Sequence, residues 1–268
     1  MQDNRLEQLE VGGHRIAFRR AGSGPAVVLL HGFFGDSRVW RKQLEALSDE
    51  FTVVAWDGPG CGESSDPPET YRISEYAECL SSFIGALGLD QPHVLGLSFG
   101  STLALELYRQ NRGSVRSLVL ASAYAGWMGS LPAEVVEQRL RQTIPDLDLP
   151  ADQVVARYNS PGLLTESAPP AVRDENATIM ADFHPGGMKT MVRALAEADL
   201  RGALPRIQVP TLLLYGDQDV RSPLTIGADL HAQIPASKLV IIPGVGHLSN
   251  VEAADRFNSE VRSFLHEM

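Results

Sequence analysis

The sequence predicts an α/β fold: a mostly parallel central sheet flanked by helices, with an inserted helical cap. Three observations predict it. Short apolar runs suited to buried strands alternate with longer stretches whose apolar residues recur every three or four positions. The alternation stops between residues 124 and 205, where eight prolines interrupt short helical patterns, and it resumes from residue 206. Repeated strand and helix units imply parallel strands with helices on both faces of the sheet. The expected organisation is a core made of residues 1–123 and 206–268, and a cap, or lid, made of residues 124–205.

Each element follows in order. Leu9, Val11, His14, Ile16 and Phe18 alternate around Gly12-Gly13, the pattern of an opening β-hairpin. Ala26–Leu30 is a continuous apolar run bounded by His31-Gly32, which suits a central parallel strand. Trp40, Leu44 and Leu47 mark a short helix and residues 51–56 a second apolar strand. Ile73, Tyr76, Ala77, Leu80, Ile84 and Leu87 form a longer helical stripe that Gly88 ends. His93–Leu97 is a buried strand behind Pro92, and Phe99, Leu103 and Leu107 place a helix directly after it. Residues 118–121 add a strand; residues 134–144 and 188–200 read as helices of the cap. The closing run is a strand at 211–215, a helix at 226–234, a strand at 238–242 and an amphipathic helix at 253–265.

Composition narrows the function classes. The chain has 268 residues, and its 33 acidic against 23 basic side chains give a net charge of −10, which disfavours a phosphate backbone as partner. No stretch approaches the roughly 18 uninterrupted apolar residues of a membrane span, and no apolar signal region follows Met1 to Arg5. The expectation is a cytoplasmic protein, monomeric or homodimeric, whose partner is a small molecule rather than nucleic acid or membrane. Cys61 and Cys79 are too few for a disulfide framework and read as free thiols; no metal site and no cofactor is expected.

The chemistry centres on Gly96-Leu97-Ser98-Phe99-Gly100. A chance Gly-x-Ser-x-Gly occurs in roughly one chain in ten of this length, so the flanks must carry the reading. Strand, tight turn and helix meet at Ser98, the setting of a nucleophile held on a strained turn. A serine hydroxyl needs a general base and a third group to orient that base. Reactive groups in a parallel sheet gather at the carboxyl ends of its strands. His247 follows the last strand through Pro243-Gly244-Val245-Gly246 and is the candidate base. His31 ends a strand with a different task, and His14, His93, His184, His231 and His266 read as structural or solvated. For the orienting acid, the end of the penultimate strand offers Asp219, further into the loop, and Asp217, better placed for turn donors. The oxyanion of acyl transfer needs donors: the amide of Phe99 is one, and the amide of Phe33 after Gly32, or in its place Phe34, is the other.

On His31-Gly32-Phe33, the Asp57 to Ser64 turn, Gly96 to Gly100, Gly216 to Asp219 and Gly246-His247, taken in this order, the chain resembles the α/β-hydrolase superfamily over almost its whole length. The resemblance implies Ser98 as nucleophile, His247 as base, Asp219 as supporting acid and a structural turn at Asp57 to Ser64 behind the sheet. The chain order Ser98, Asp219, His247 is the one expected of this superfamily. Its serine disfavours the aspartate-dependent dehalogenases and epoxide hydrolases, and the tail His247 to Glu252 looks like that of 3-oxoadipate enol-lactonases. Ser101, where that group commonly has a second glycine, departs from the pattern.

The cap is expected to roof the crevice. Tyr124, Trp127, Met128 and Phe183, with Met180, Met188 and Met191, suit a largely apolar pocket, and Arg157 and Arg193 are candidates for a substrate carboxylate. The function expected is hydrolysis of a small, mostly apolar carboxylic ester or lactone through an acyl-enzyme. Two alternatives accompany it: carbon–carbon bond hydrolysis of the meta-cleavage type, and a slow-turnover ligand-sensing signalling protein of the same fold.

Overall fold

The computed structural model describes residues 5–268. Its first strands are β1 (Leu6–Val11), β2 (His14–Ala21) and β3 (Ala26–Leu30), followed by α1 (Arg41–Leu47), β4 (Thr52–Trp56) and α2 (Ile73–Ala86). Next come β5 (His93–Leu97), α3 (Phe99–Gln110) and β6 (Ser117–Ala121), then four helices, α4 (Ala133–Asp146), α5 (Ala151–Tyr158), α6 (Pro170–Ala181) and α7 (Pro185–Glu197). The chain closes with β7 (Thr211–Gly216), α8 (Leu224–Gln233), β8 (Ser237–Ile242), α9 (Ser249–Glu252) and α10 (Ala254–His266).

One eight-stranded sheet has the order β1-β2-β4-β3-β5-β6-β7-β8. The β1–β2 hairpin turns through Gly12 and Gly13 at φ of 58° and 83°, the positive values a tight two-residue turn requires. β2 pairs antiparallel with β4, and the strands from β4 to β8 run parallel. Strands covered by helices on both faces have no solvent side, so Val27–Leu30, Val53–Ala55 and Leu118–Ala121 are buried without alternation. β8, at the sheet edge, is only partly covered.

Prolines that read as interruptions in the sequence begin helices in the structure. Pro132 and Pro150 precede α4 and α5, Pro169 and Pro170 open α6, and Pro185 opens α7. At these positions the missing N–H is not needed and the fixed φ already suits a helix. The four helices lie between β6 and β7 in the chain, beside the carboxyl ends of the parallel strands. Among the described residues no helix is long and apolar enough to cross a membrane.

Candidate active site

β5 ends at Leu97 and α3 begins at Phe99, which leaves Ser98 alone to reverse the chain. It does so at φ 54°, ψ −110°, a backbone conformation that costs an L-residue on the order of 1–3 kcal/mol. The surroundings hold it there. Its amide donates to Ala121 O (2.9 Å), and its carbonyl accepts from the amides of Ser101 (3.0 Å) and Thr102 (3.2 Å). Glycines are required at both flanks: a Cβ on Gly96 would lie 2.2 Å from Gly100 O, and one on Gly100 would lie 2.1 Å from Leu30 O.

His247 and Asp219 reach the same place from the loops after β8 and β7. His247 Nδ1 lies 2.8 Å from Asp219 Oδ2. The second carboxylate oxygen, Oδ1, accepts the amides of Arg221 (2.8 Å) and Ser222 (2.9 Å). An ionised carboxylate only accepts, so the proton sits on Nδ1 and Nε2 keeps its lone pair. Burial pushes the Asp219 pKa up, but the facing imidazole, its hydrogen bond and the loop amides outweigh burial and hold it below the ordinary carboxylate value. Asp217 is exposed and accepts the Gly244 amide at 2.7 Å, a turn contact away from His247.

The loop after β3 is braced by His31. Its Nδ1 donates to Gly32 O (2.9 Å) and its Nε2 accepts the Gly58 amide (2.9 Å), which fixes one neutral tautomer. Burial lowers its pKa, in keeping with the neutral ring. A Cβ on Gly32 would press on Leu97 O and Ser98 Cβ, both at 3.2 Å, so the loop backbone runs against the serine. The sequence expectation put the Asp57 to Ser64 turn behind the sheet. It lies instead at the carboxyl end of β4, because β4 runs parallel to β3 and ends at Trp56. There Asp57 accepts the amides of Ser37 (2.7 Å) and Glu63 (3.0 Å) and stiffens the same loop. Cys61 in this turn is buried, and burial pushes its thiol pKa well up, away from thiolate reactivity.

Ser98 and His247 line one cavity of about 40 Å³, shared with Phe33, Phe34, Tyr124 and Trp127. Phe99 is not in that lining; its ring packs against Tyr76, centroids 5.3 Å apart. Two predicted pocket residues lie elsewhere. The backbone of residues 127–129 hooks onto the end of α7, Trp127 N to Leu195 O (2.9 Å) and Met128 N to Ala196 O (3.3 Å), turning Trp127 inward and leaving Met128 45% exposed on a separate surface cleft. Phe183 packs behind Phe34, centroids 5.7 Å apart, outside the cavity lining. Met180, Met188 and Met191 are buried packing. Arg157 is committed to Asp146, and neither it nor Arg193 is in the lining.

Sequence reasoning missed Arg139 and Tyr158, which reach the cavity from α4 and α5, and Arg221 two residues after Asp219. It also missed Ser122, at φ 46°, whose hydroxyl donates to His247 O (2.9 Å) from the end of β6. Nothing local marks α4 and α5 residues as pocket-facing, since both helices are polar on most of their surface. Arg221 had a signal in its closeness to the acid loop. Among the described residues, no group of three or more His, Cys, Asp or Glu side chains is placed to hold a metal ion.

A family model for the alpha/beta hydrolase fold matches residues 25–254. A Cronobacter turicensis protein named "Putative carbamate hydrolase RutD" is 30% identical over 253 residues, covering 91% of this chain and 92% of the relative. Among solved structures, a thermophilic esterase from Thermogutta terrifontis superposes with a TM-score of 0.83 at 27% identity, covering 98% of both chains. The enol-lactonase from Burkholderia xenovorans LB400 also gives 0.83, at 25% identity, covering 97% of this chain and all (100%) of that one.

Proposed function

The chain belongs to the alpha/beta hydrolase family, and on that premise we propose that it is a serine hydrolase acting on a small carboxylic ester or lactone through an acyl-enzyme on Ser98. One observation carries the reading: a serine on a strained strand-to-helix turn and an Asp219-paired His247 open into the same cavity. His247 Nε2 takes the Ser98 proton as the hydroxyl attacks the carbonyl, and the imidazolium is stabilised by Asp219. The amides of Phe99 and Phe33 receive the oxyanion. α3 starts at Phe99, so its first amides have no acceptor inside the helix and its dipole favours negative charge. The imidazolium then protonates the leaving group, and a water that His247 deprotonates releases the acid. The cavity, with room for roughly three water-sized bodies, supports a short acyl group. The RutD relative's printed name extends the class to be screened to carbamates.

The test combines labelling and turnover. An alkyl fluorophosphonate is expected to label Ser98 alone by peptide mapping. Ser98→Ala is expected to lower the hydrolysis of short-chain aryl esters by roughly 10³-fold or more. Labelling at another residue, or equal rates in the two proteins, overturns the reading.

A further inference from the structure

We infer that the Ser98 cavity takes a substrate bearing a carboxylate, which the guanidinium of Arg221 holds. The inference rests on the reading of Ser98 as nucleophile and names the substrate class of that site. Arg221 is fixed by its backbone: its amide donates to Asp219 Oδ1 (2.8 Å), and its carbonyl accepts from Tyr124 Oη and from Arg139 Nη2 (2.9 Å). Its side chain lies over the Tyr158 ring, 5.2 Å from the centroid, and lines the cavity. Among the described residues the guanidinium has no ion pair and no hydrogen bond, so its five N–H donors are unused.

The charge balance around it is positive. Arg139, 5.3 Å from the Trp127 ring centroid, lines the same cavity and also lacks a carboxylate partner among the described residues. Asp219, two residues before Arg221, has both oxygens occupied by His247 and the loop amides. Asp146 is occupied by Arg157 and by the Tyr158 hydroxyl (2.8 Å). Burial and the Arg139 charge push the Arg221 pKa down by more than Tyr124, Tyr158 and Asp219 raise it. A part-buried cation facing another cation is unfavourable unless an anion joins it, and a planar carboxylate matches the guanidinium fork. The lining is otherwise largely apolar, as the sequence suggested, and the two cations are set into it.

Two matched ester pairs test this. Monomethyl malonate and methyl isovalerate place the carboxylate, or its neutral isostere, on the acyl side; acetoxyacetate and isobutyl acetate place it on the alcohol side. In wild-type protein the charged member of at least one pair is expected to exceed its neutral partner in kcat/KM by roughly 10- to 100-fold, the span of a hydrogen bond to a charged group. Arg221→Gln is expected to collapse that ratio, and Arg221→Lys to recover part of it. A wild-type ratio near one in both pairs overturns the proposal, as does a ratio that Arg221→Gln leaves in place in protein folded by circular dichroism. Calorimetric titration of Ser98→Ala protein with the unhydrolysed charged esters separates the two readings. Binding at least tenfold tighter than in the Ser98→Ala, Arg221→Gln double variant supports the anion site even if the Ser98 reading fails. Equal binding by the two proteins removes the anion site and leaves the nucleophile untouched.

Discussion

Asp217 and Asp219 are two residues apart on one loop and have different partners. Asp217 caps the Gly244 amide in solvent, while Asp219 is buried against His247. The residue types and the strand-end position were readable in the sequence. Which carboxylate faces the imidazole depends on how the loops after β7 and β8 cross, here with Gln218 N donating to Val245 O at 3.0 Å. Asp219→Asn puts an amide where His247 Nδ1 needs an acceptor. It is expected to cut kcat by about 10³- to 10⁴-fold at neutral pH. Asp217→Asn is expected to stay within a few-fold of wild type, and steady-state kinetics on one ester settles the comparison. Equal losses at the two positions would break the assignment. The depressed Asp219 pKa has a direct sign. Its stabilising contribution is complete above the ordinary carboxylate value and is lost as pH falls through the folded-state value, below 3.8.

At the scale of elements, the buried strands and the longer helices were visible as apolar periodicity, because their cores are local patterns. His93 shows what pairing adds. It opens β5 opposite Ser117 at the start of β6, and its Nδ1 lies 2.7 Å from the Ser117 hydroxyl. Burial, with a smaller push from the Arg116 charge, brings its pKa from 6.5 down to about 4. The folded protein thus resists a proton that the unfolded chain accepts near pH 6.5. Stability linked to His93 is complete above that pH and falls progressively down to about pH 4, by on the order of 1–3 kcal/mol. Urea melts at pH 7.5 and pH 4 are expected to show this loss in wild type and a smaller one in His93→Gln. Parallel losses in both proteins would assign the acid sensitivity to other groups. His93 read in the sequence as structural or solvated; it is buried, its partner is 24 residues away, and only the β5–β6 register sets the pair.

At the scale of the molecule, the helical insertion is tied to the histidine loop by Glu252. Its Oε1 accepts from the Thr165 amide (2.9 Å) and hydroxyl (2.6 Å), and its Oε2 accepts from the Gly246 amide (2.7 Å). Leu248 N donates to Leu163 O (3.2 Å) beside it. The carboxylate therefore holds the residue before His247 and the segment after α5 in one frame. Glu252→Ala is expected to lower kcat/KM about tenfold and to speed amide exchange at residues 163–168, while the sheet amides keep their protection. Unchanged exchange in that segment would show that packing, and not Glu252, holds it.

The sequence by itself determined the α/β class, the strand order along the chain, the serine turn and the short set of loops from which partners had to come. These rest on local periodicity and on glycine spacing, which neighbouring residues dictate. The tertiary structure pairs His247 with Asp219, the acid the sequence favoured; it alone decided which face of α4 and α5 looks into the cavity, and where Arg139 and Arg221 meet. Those choices join residues far apart in the chain, and their outcome depends on crossing angles and loop packing that local sequence does not specify. The cavity's charge is the clearest case: Arg139 and Arg221 are 82 positions apart, and their joint effect exists only once α4 packs beside the acid loop.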